Sequence, residues 1–162
     1  MNHSASVVPG RQTAVLEKPV VLFLIGTRFN KLWRIDKWAW FIRTMPAMLA
    51  ELERTPNSGL LWYRTHLSGR LLTVQQYWES FDKLLVYAHD KSGEHFPAWA
   101  KFNRTLANDG TMGIWHETYL IEPGKYECVY GNMPAFGLAA ATKIARAEGR
   151  LAQAKDRFAA YG

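Results

Sequence analysis

Two histidines carry side chains suited to proton transfer near neutral pH, because imidazole is the side chain whose ordinary pKa falls in that range. His116 lies in 113–119, a stretch whose alternation of residue types is typical of a strand. The alternation predicts that Ile114, His116 and Thr118 share one face of this strand. A strand is a rigid support for a general base, and a core histidine bonded to the backbone is the other interpretation of this position.

His95 opens or closely precedes a predicted helical stretch, about 95–106, which also carries Trp99. It either points into an aromatic pocket as a base or a ligand, or it caps the helix at the protein surface. His89 precedes it by six residues across a glycine, a spacing that does not make a ready metal pair. With no Cys/His cluster and no HExxH motif, the sequence predicts no metal site.

Seven further residues are candidates for substrate binding, because they place polar or aromatic groups at the ends or on the faces of predicted elements: Arg28, Asn30, Trp62, Trp78, Trp99, Tyr130 and Asn132. Arg28 and Asn30, just past the first apolar strand, either hold an acidic substrate or pair with carboxylates of the protein. Tyr130 and Asn132 share a strand face, and Gly131 between them allows close approach. That face is predicted to form a pocket edge or a dimer contact. The tryptophans belong to the core, a pocket or a dimer face.

The composition is that of one globular domain. The chain has 162 residues, of which 48% are hydrophobic and 21% charged, and it includes seven Trp, seven Tyr and eight Phe. These values exclude wholesale disorder and an ordinary membrane protein. The longest apolar run, Val20 to Gly26, is far shorter than the ~20 residues of a membrane span, and no secretory signal is visible. We therefore expect a cytoplasmic protein whose lone Cys128 is a small buried residue rather than a nucleophile.

The net charge of +6 raises nucleic acid and anionic membranes as partners. The basic residues are spread along the chain, with only a modest excess between Lys143 and Arg157, and no recognised nucleic-acid motif accompanies them. We interpret this excess as a solvated helix face and expect neither nucleic acid nor a membrane as a partner. The absence of GxGxxG, GxxxxGK[ST] and GxSxG motifs disfavours nucleotide-dependent chemistry and a serine-hydrolase site.

The apolar periodicity predicts elements in the order β-α-β-β-α-α-β-β-α. The predicted segments are a strand at 20–25, a helix at 33–54 kinked or divided at Pro46, strands at 60–67 and 71–78, helices at 81–88 and 95–106, strands at 112–121 and 126–133, and a helix at 137–161. Two helical crossovers around a meander indicate an α+β fold, a ferredoxin-like antiparallel sheet with its helices on one face. Large apolar side chains on both strand faces favour a homodimer that packs sheet against sheet.

The chain is predicted to divide into three parts. Residues 1–18 are polar and without period, which predicts a flexible N-terminal arm. The ferredoxin-like domain follows over 19–136. An Ala-rich C-terminal helical extension completes the chain over 137–162.

Six segments between residues 20 and 137 form a recognisable set: Phe23–Asn30, Asn57–Leu61, Gln76–Phe81, His95–Trp99, Ile114–Tyr119 and Tyr126–Pro134. Together they resemble a known bacterial and fungal family, the one grouped with the fumagillin-pathway monooxygenase. That family is in turn similar to the antibiotic-biosynthesis monooxygenase superfamily of dimeric α/β barrels. The link to the superfamily rests on the element order and on the spacing of Trp78, Glu79 and Ser80 from His95.

The resemblance implies a homodimeric monooxygenase. Superfamily members oxidise polyketide-like or quinol substrates with O₂ and without metal or flavin, while others bind and degrade haem through a histidine on the helix after the third strand. The resemblance therefore favours a cofactor-independent enzyme, in which His116, assisted by His95, removes a proton from an aromatic or polyketide-like small molecule. Two alternatives remain open: a haem-binding or haem-dependent enzyme with His95 as the axial ligand, and a non-catalytic small-molecule-binding dimer.

Overall fold

The structure is a computed structural model that describes residues 6–90, 100 and 109–159. Its strands are β1 (Val8–Val15), β2 (Val20–Phe29), β3 (Leu60–Ser68), β4 (Leu71–Trp78), β5 (Met112–Ile121), β6 (Tyr130–Met133) and β7 (Lys143–Arg146). Its helices are α1 (Ile35–Arg54), α2 (Phe81–His89), α3 (Leu138–Ala141) and α4 (Ala154–Ala159), with a 3₁₀ turn at Gly149–Leu151. The predicted helix at 95–106, with His95 and Trp99, lies outside the described residues except for residue 100.

Four antiparallel strands form the main sheet in the order β3-β4-β2-β5. β2 is a central strand, as its uninterrupted apolar run predicts, and Ile25 pairs with Val74 on one side and with His116 on the other. With α1 and α2 as the crossovers, this strand order is that of the ferredoxin-like fold. The predicted α+β class is therefore confirmed.

One face of the main sheet, which we call the helix-side face, packs against α1 and α2. Val21 of β2 and its partner Trp78 of β4 are buried there against Leu52 of α1 and Leu84 of α2. Because side chains alternate along a strand, Phe23 lies on this same face, as do its partners Gln76 of β4 and Thr118 of β5. The opposite face, which we call the second face, carries the even-numbered residues of β2.

The two long helices begin and continue for local reasons. Ser80 is the predicted N-cap of α2, and its hydroxyl accepts a hydrogen bond from the Lys83 N–H (3.2 Å). α1 runs unbroken through Pro46, so the helix is not divided there. Pro46 is exposed on the helix surface, so the carbonyl group that a proline leaves without a helical partner is open to solvent there. None of the helices within the described ranges has the length and apolar composition of a membrane span.

A smaller antiparallel sheet, β6-β1-β7, covers part of the second face. Ala14 and Leu16, in and just after β1, are buried against Val20 and Tyr77 of the main sheet and against Leu138 of α3. The core of the protein therefore has two layers, one under the helices and one between the sheets.

The prediction of a flexible arm at 1–18 is wrong for residues 8–15, which form β1. The hydrophobic pattern does not predict this strand, because two of its buried residues are polar and form hydrogen bonds. Thr13 Oγ1 donates to the Cys128 carbonyl oxygen (2.8 Å), and Gln12 Nε2 donates to the Pro9 carbonyl oxygen (3.2 Å). Burial without apolar character leaves no periodic signal in a sequence.

The C-terminal part also differs from its prediction. In place of one helix over 137–161, the structure has α3, β7, a 3₁₀ turn and α4. The alanines favour a helix, but pairing of Thr13 with Ala145 draws 143–146 into the small sheet, so tertiary contacts override propensity. The strand predicted at 126–133 is shorter, and begins at Tyr130. The division of the chain at residues 18 and 136 stays a prediction, although β1 and β7, from the two predicted appendages, pair with each other.

Candidate active site

His116 lies on the helix-side face of β5, opposite Ile25 of β2. The register places Ile114 and Thr118 on the same face, as the alternation predicts. The His116 side chain is exposed, so it is not a core histidine, and it forms no hydrogen bond within the described part of the chain. Its ring lies 5.8 Å from the Phe23 ring, tilted by 46°. This arrangement presents an unengaged imidazole beside an aromatic surface, which suits a base that acts on a planar ligand.

Two other candidates lie on the second face, between the main sheet and the small sheet. Trp62 of β3 contacts Tyr77 (ring centroids 6.0 Å apart) and meets the Phe136 ring edge-on (5.1 Å). Tyr130 of β6 packs against the same core layer. The Arg64 guanidinium lies over the Phe136 ring at 5.9 Å. These contacts form an aromatic cluster that the sequence anticipates only in Trp62 and Tyr130.

A chain of polar groups runs beside this aromatic cluster. The Gln75 side-chain amide donates to the Tyr77 hydroxyl (3.3 Å), and its carbonyl oxygen lies 3.2 Å from His66 Nε2. Gly137 borders this chain of polar groups, since a Cβ there would be in van der Waals contact with the Tyr77 hydroxyl (3.5 Å) and the Tyr130 hydroxyl (3.8 Å). Burial raises the pKa of both phenols, so they remain protonated hydrogen-bond donors at neutral pH.

Sequence reasoning missed Gln75, Tyr77 and Phe136. Gln75 and Gln76 interrupt an otherwise apolar strand, and this pair of adjacent amides is the signal that could have been followed. The two amides point to opposite faces, because Gln76 accepts a hydrogen bond from Trp78 Nε1 (2.8 Å) on the helix-side face. Nothing in the local sequence of Phe136 indicates that it reaches β3.

Trp78 and Asn132 make contacts that stabilise the fold. Trp78 is 0% exposed and packs against the Tyr87 ring at 5.5 Å, so it presents no surface to a ligand in this structure. Asn132 is exposed and has φ of 51°, and its Oδ1 accepts a hydrogen bond from the Gly10 N–H (2.8 Å). That bond lies at the bulge of β1, between Val8 and Arg11. Both residues therefore support the fold.

Arg28 and Asn30 lie at the end of β2, where the Arg28 guanidinium donates to the Asn30 side-chain oxygen. Arg28 is on the second face, opposite Gly113 of β5. Apart from Trp78 and Asn132, the structure thus places the described candidates in three locations: His116 on the helix-side face, Trp62 with Tyr130 between the sheets, and Arg28 with Asn30 at the strand end.

A cleft of about 230 Å³ opens between the two sheets. It is lined by the β1–β2 connection and by Leu61, Glu79, Thr142 and Lys143. None of the candidate residues lines it. Within the described ranges, no group of three or more His, Cys, Asp or Glu residues is arranged to hold a metal ion.

Residues 20–138 match the sequence profile of the Monooxygenase af470-like family. The chain belongs to this family. The matched range contains the whole main sheet, His116 and β6, whereas β1 and β7 lie outside it. The fumagillin-pathway relationship within the family remains a resemblance. None of the curated protein sequences matches the chain significantly.

Solved structures that resemble this one are distant in sequence. An aldoxime dehydratase in complex with butyraldoxime has a TM-score of 0.50 at 12% identity, over 85% of this chain and 43% of that chain. SnoaB, a cofactor-independent oxygenase from Streptomyces nogalater, has a TM-score of 0.44 at 14% identity, over 62% of this chain and 90% of its own. A conserved protein from Methanosarcina mazei Go1 has a TM-score of 0.44 at 13% identity, over 62% of this chain and 91% of its own. The similarity to the dehydratase is one of fold.

Proposed function

We propose that this protein is a cofactor-independent monooxygenase that acts on an aromatic or polyketide-like small molecule. Membership of the Monooxygenase af470-like family supports the reaction class. The observation that carries the proposal is the position of His116, exposed on the helix-side face beside the Phe23 ring and without a hydrogen bond in the described residues.

In the proposed reaction His116 is the general base. An imidazole nitrogen accepts a proton from a substrate carbon that is conjugated with a carbonyl or phenol group through the aromatic rings, and the carbanion that forms is delocalised over the aromatic system. The carbanion supplies the electrons that reduce O₂. Overall a CH₂ group and O₂ give a carbonyl group and water, so that the substrate provides all four electrons and one oxygen atom remains in the product.

The surroundings of His116 suit a flat apolar substrate. Phe23 offers a ring for stacking, and Ile25 and Ile114 give the floor of the face an apolar character. We assign the assisting role to His95, and a wall of the pocket to Trp99, on the sequence alone. Trp62 and Tyr130 lie on the other face of the sheet, so in one protomer they serve a different surface from the one that His116 occupies.

The proposal is tested by oxygen consumption. Anthrone, a tricyclic ketone with an acidic methylene group, is incubated with the purified protein, and O₂ uptake and ¹⁸O incorporation into the quinone are measured. We expect uptake that depends on the protein and that falls about 100-fold or more in His116→Ala. His89→Gln is the matched control, because His89 is an exposed histidine on α2 whose Nδ1 contacts the Leu85 carbonyl oxygen (2.8 Å).

Three results would contradict this assignment. Equal rates in the wild type and His116→Ala would remove His116 from the reaction. Tight binding of aromatic ligands without O₂ uptake would favour a non-catalytic binding protein. A Soret band on addition of haem that is lost in His95→Ala, together with activity only in the haem-loaded protein, would favour the haem enzyme.

We also propose that the protein forms a homodimer through the part of the second face where Arg64 and Glu117 are exposed, beside the layer that the small sheet covers. Arg64, Gln75, Leu24 and Glu117 form one row across the four strands of the main sheet. Arg64 and Glu117 are exposed at its two ends. A two-fold axis parallel to the strands would place Arg64 of each protomer against Glu117 of the other, which is the self-complementary pattern that an isologous interface needs.

A further inference from the structure

Two arginines from distant parts of the sequence meet at one asparagine at the end of β2. The Arg28 guanidinium donates to Asn30 Oδ1, and the Arg70 guanidinium donates to the Asn30 backbone oxygen (3.1 Å). Arg70 belongs to the turn between β3 and β4, and the Phe29 N–H donates to its carbonyl oxygen (2.9 Å), which joins the turn to β2. We call Arg28, Asn30 and Arg70 the strand-end cluster.

Within the described residues, neither arginine of the strand-end cluster forms an ion pair. The acceptors that hold Arg28 and Arg70 are uncharged oxygens, and both side chains are exposed. Two cations kept at one residue repel each other unless an anion lies between them. The cluster therefore has an excess of positive charge that a bound oxyanion would neutralise.

Asp109, two residues before the Thr111 carbonyl group that accepts the Asn30 N–H, is a carboxylate that is already engaged. Its Oδ1 accepts the Thr111 N–H (2.7 Å), and this bond is the main reason that its pKa lies below the usual value. The charges of Lys31 and Lys37 lower that pKa further. Asp109 thus lies near Lys31, before α1, and Lys37, in α1, and within the described residues no ion pair joins it to Arg28 or Arg70.

The groups that the strand-end cluster presents to solvent are hydrogen-bond donors. Asn30 Oδ1 is occupied by Arg28, which leaves the NH₂ group of Asn30 free to donate within the described residues. Its Nδ2 atom lies toward Gly113, at 3.9 Å from the point that a Cβ would occupy there. Because Gly113, the partner of Arg28 on β5, has no side chain, no β5 side chain covers Arg28 at this position. A site with two guanidiniums, one amide NH₂ and no free acceptor suits a ligand that only accepts.

We propose that the strand-end cluster is a binding site for an oxyanion, a carboxylate or phosphate group carried by a small molecule. Arg28 and Arg70 provide the charge, and Asn30 fixes the distance between them. The site is distinct from the position of His116, because Arg28 and His116 lie on opposite faces of the main sheet. In addition, Arg28 pairs with Gly113, which precedes His116 by three residues on β5. Binding of the anion therefore requires no step of the proposed oxidation.

The test is a titration with inorganic phosphate and, separately, with acetate. Binding is measured by calorimetry and by the ¹⁵N–¹H signals of the arginine Nε groups at constant ionic strength. We expect saturable shifts of the Arg28 and Arg70 signals, and at least a tenfold loss of affinity in Arg28→Gln and in Arg70→Gln. Tighter binding of phosphate than of acetate would assign a phosphate ester as the ligand, and the reverse order a carboxylate.

The control is Arg150→Gln, which removes the same charge from an exposed arginine in the 3₁₀ turn. It should bind phosphate as the wild type does, as should His116→Ala. Equal losses in Arg150→Gln and Arg28→Gln would overturn the proposal, because they would show general charge attraction. Absence of saturable shifts with either anion, or the same shifts with chloride, would also overturn it. The two cluster variants are independent, so a folding defect in one leaves the other decisive.

Discussion

The indole of Trp115 lies across Gly26, on the second face of the main sheet. A Cβ at residue 26 would be 2.7 Å from Trp115 Nε1 and 2.9 Å from the Leu72 carbonyl oxygen. Gly26→Ala should therefore destabilise the protein by about 1–3 kcal/mol, because the indole must move and the backbone oxygen of the neighbouring strand cannot. Chemical denaturation followed by tryptophan fluorescence measures the loss, and a shifted emission maximum in the folded state reports displacement of Trp115.

The matched control for this substitution is Gly131→Ala. Gly131 also lies in a strand, and a Cβ there would have nothing within 4 Å. Its substitution should change the free energy of unfolding by less than about 0.5 kcal/mol. If both variants lose the same stability, the contact with Trp115 is not the cause.

A partly buried ion pair joins the C-terminal segment to the chain before β6. Arg157 is 5% exposed and lies 2.6 Å from Glu127 Oε1, while its Nη1 donates to the carbonyl oxygens of Leu151 (2.9 Å) and Ala152 (2.8 Å). Glu127→Ala leaves this buried guanidinium without a counter-ion. We expect a loss of about 2–3 kcal/mol, below the cost of breaking a fully buried pair because Glu127 is 31% exposed.

Glu148→Ala provides the comparison for Glu127→Ala. Glu148 pairs with Arg146, but both side chains are more than half exposed. Its removal should cost less than about 1 kcal/mol in urea denaturation. A similar cost for the two substitutions would mean that burial of Arg157 contributes nothing to the strength of its pair.

Tyr87 of α2 should make the protein sensitive to alkaline pH. Burial raises its pKa to about 12, whereas a tyrosine in the unfolded chain titrates near 10. The raised pKa favours the folded state fully below about pH 10, and this contribution is lost as the pH rises through 12. Tyr87→Phe cannot ionise, so its urea midpoint should fall less between pH 9 and pH 11 than that of the wild type. Equal pH dependence in the two proteins would contradict this assignment.

Local patterns of the sequence predict the main sheet and fail for the small one. The run Val20–Ile25 is apolar at every position because β2 is a central strand, with Val20 buried on the second face and Val21 on the helix-side face. The alternation around His116 gives the face of this residue correctly. β1 has no such pattern, because its pairing with β6 and β7 and its hydrogen bonds to Cys128 depend on residues more than a hundred positions away.

Contacts between residues that are distant in the sequence also explain why the grouping of the candidate site residues could not be predicted. Residue type identifies His116 and Arg28 one at a time, but Arg70 meets Asn30 only through the register of β3, β4 and β2. That Trp62 and His116 lie on opposite faces likewise follows from the register of the paired strands, which a periodic pattern does not specify. The β3 register also shifts between Leu60 and Trp62, so that counting alternate residues from one side of this irregularity assigns the wrong face on the other.

Residues at the two ends of one row of the second face should control dimerisation. Arg64 and Glu117 are exposed, and Glu117 accepts a hydrogen bond from the Tyr119 hydroxyl (2.6 Å). In the proposed dimer each would meet the opposite charge of the other protomer, so Glu117→Arg places two like charges in contact twice. We expect light scattering to show a monomer for Glu117→Arg. At a concentration where the wild type is also monomeric, the two proteins should have the same unfolding midpoint.

The charge-reversed double variant makes this prediction specific. Arg64→Glu together with Glu117→Arg restores the complementary pattern, so that the dimer should return, whereas each single reversal should weaken it at least tenfold. Rescue requires that the two side chains face each other across the interface, since two independent effects would add instead of cancelling. A double variant as weakly associated as its parents would place the two-fold axis elsewhere, and a wild type that is monomeric at every concentration would contradict the dimer itself.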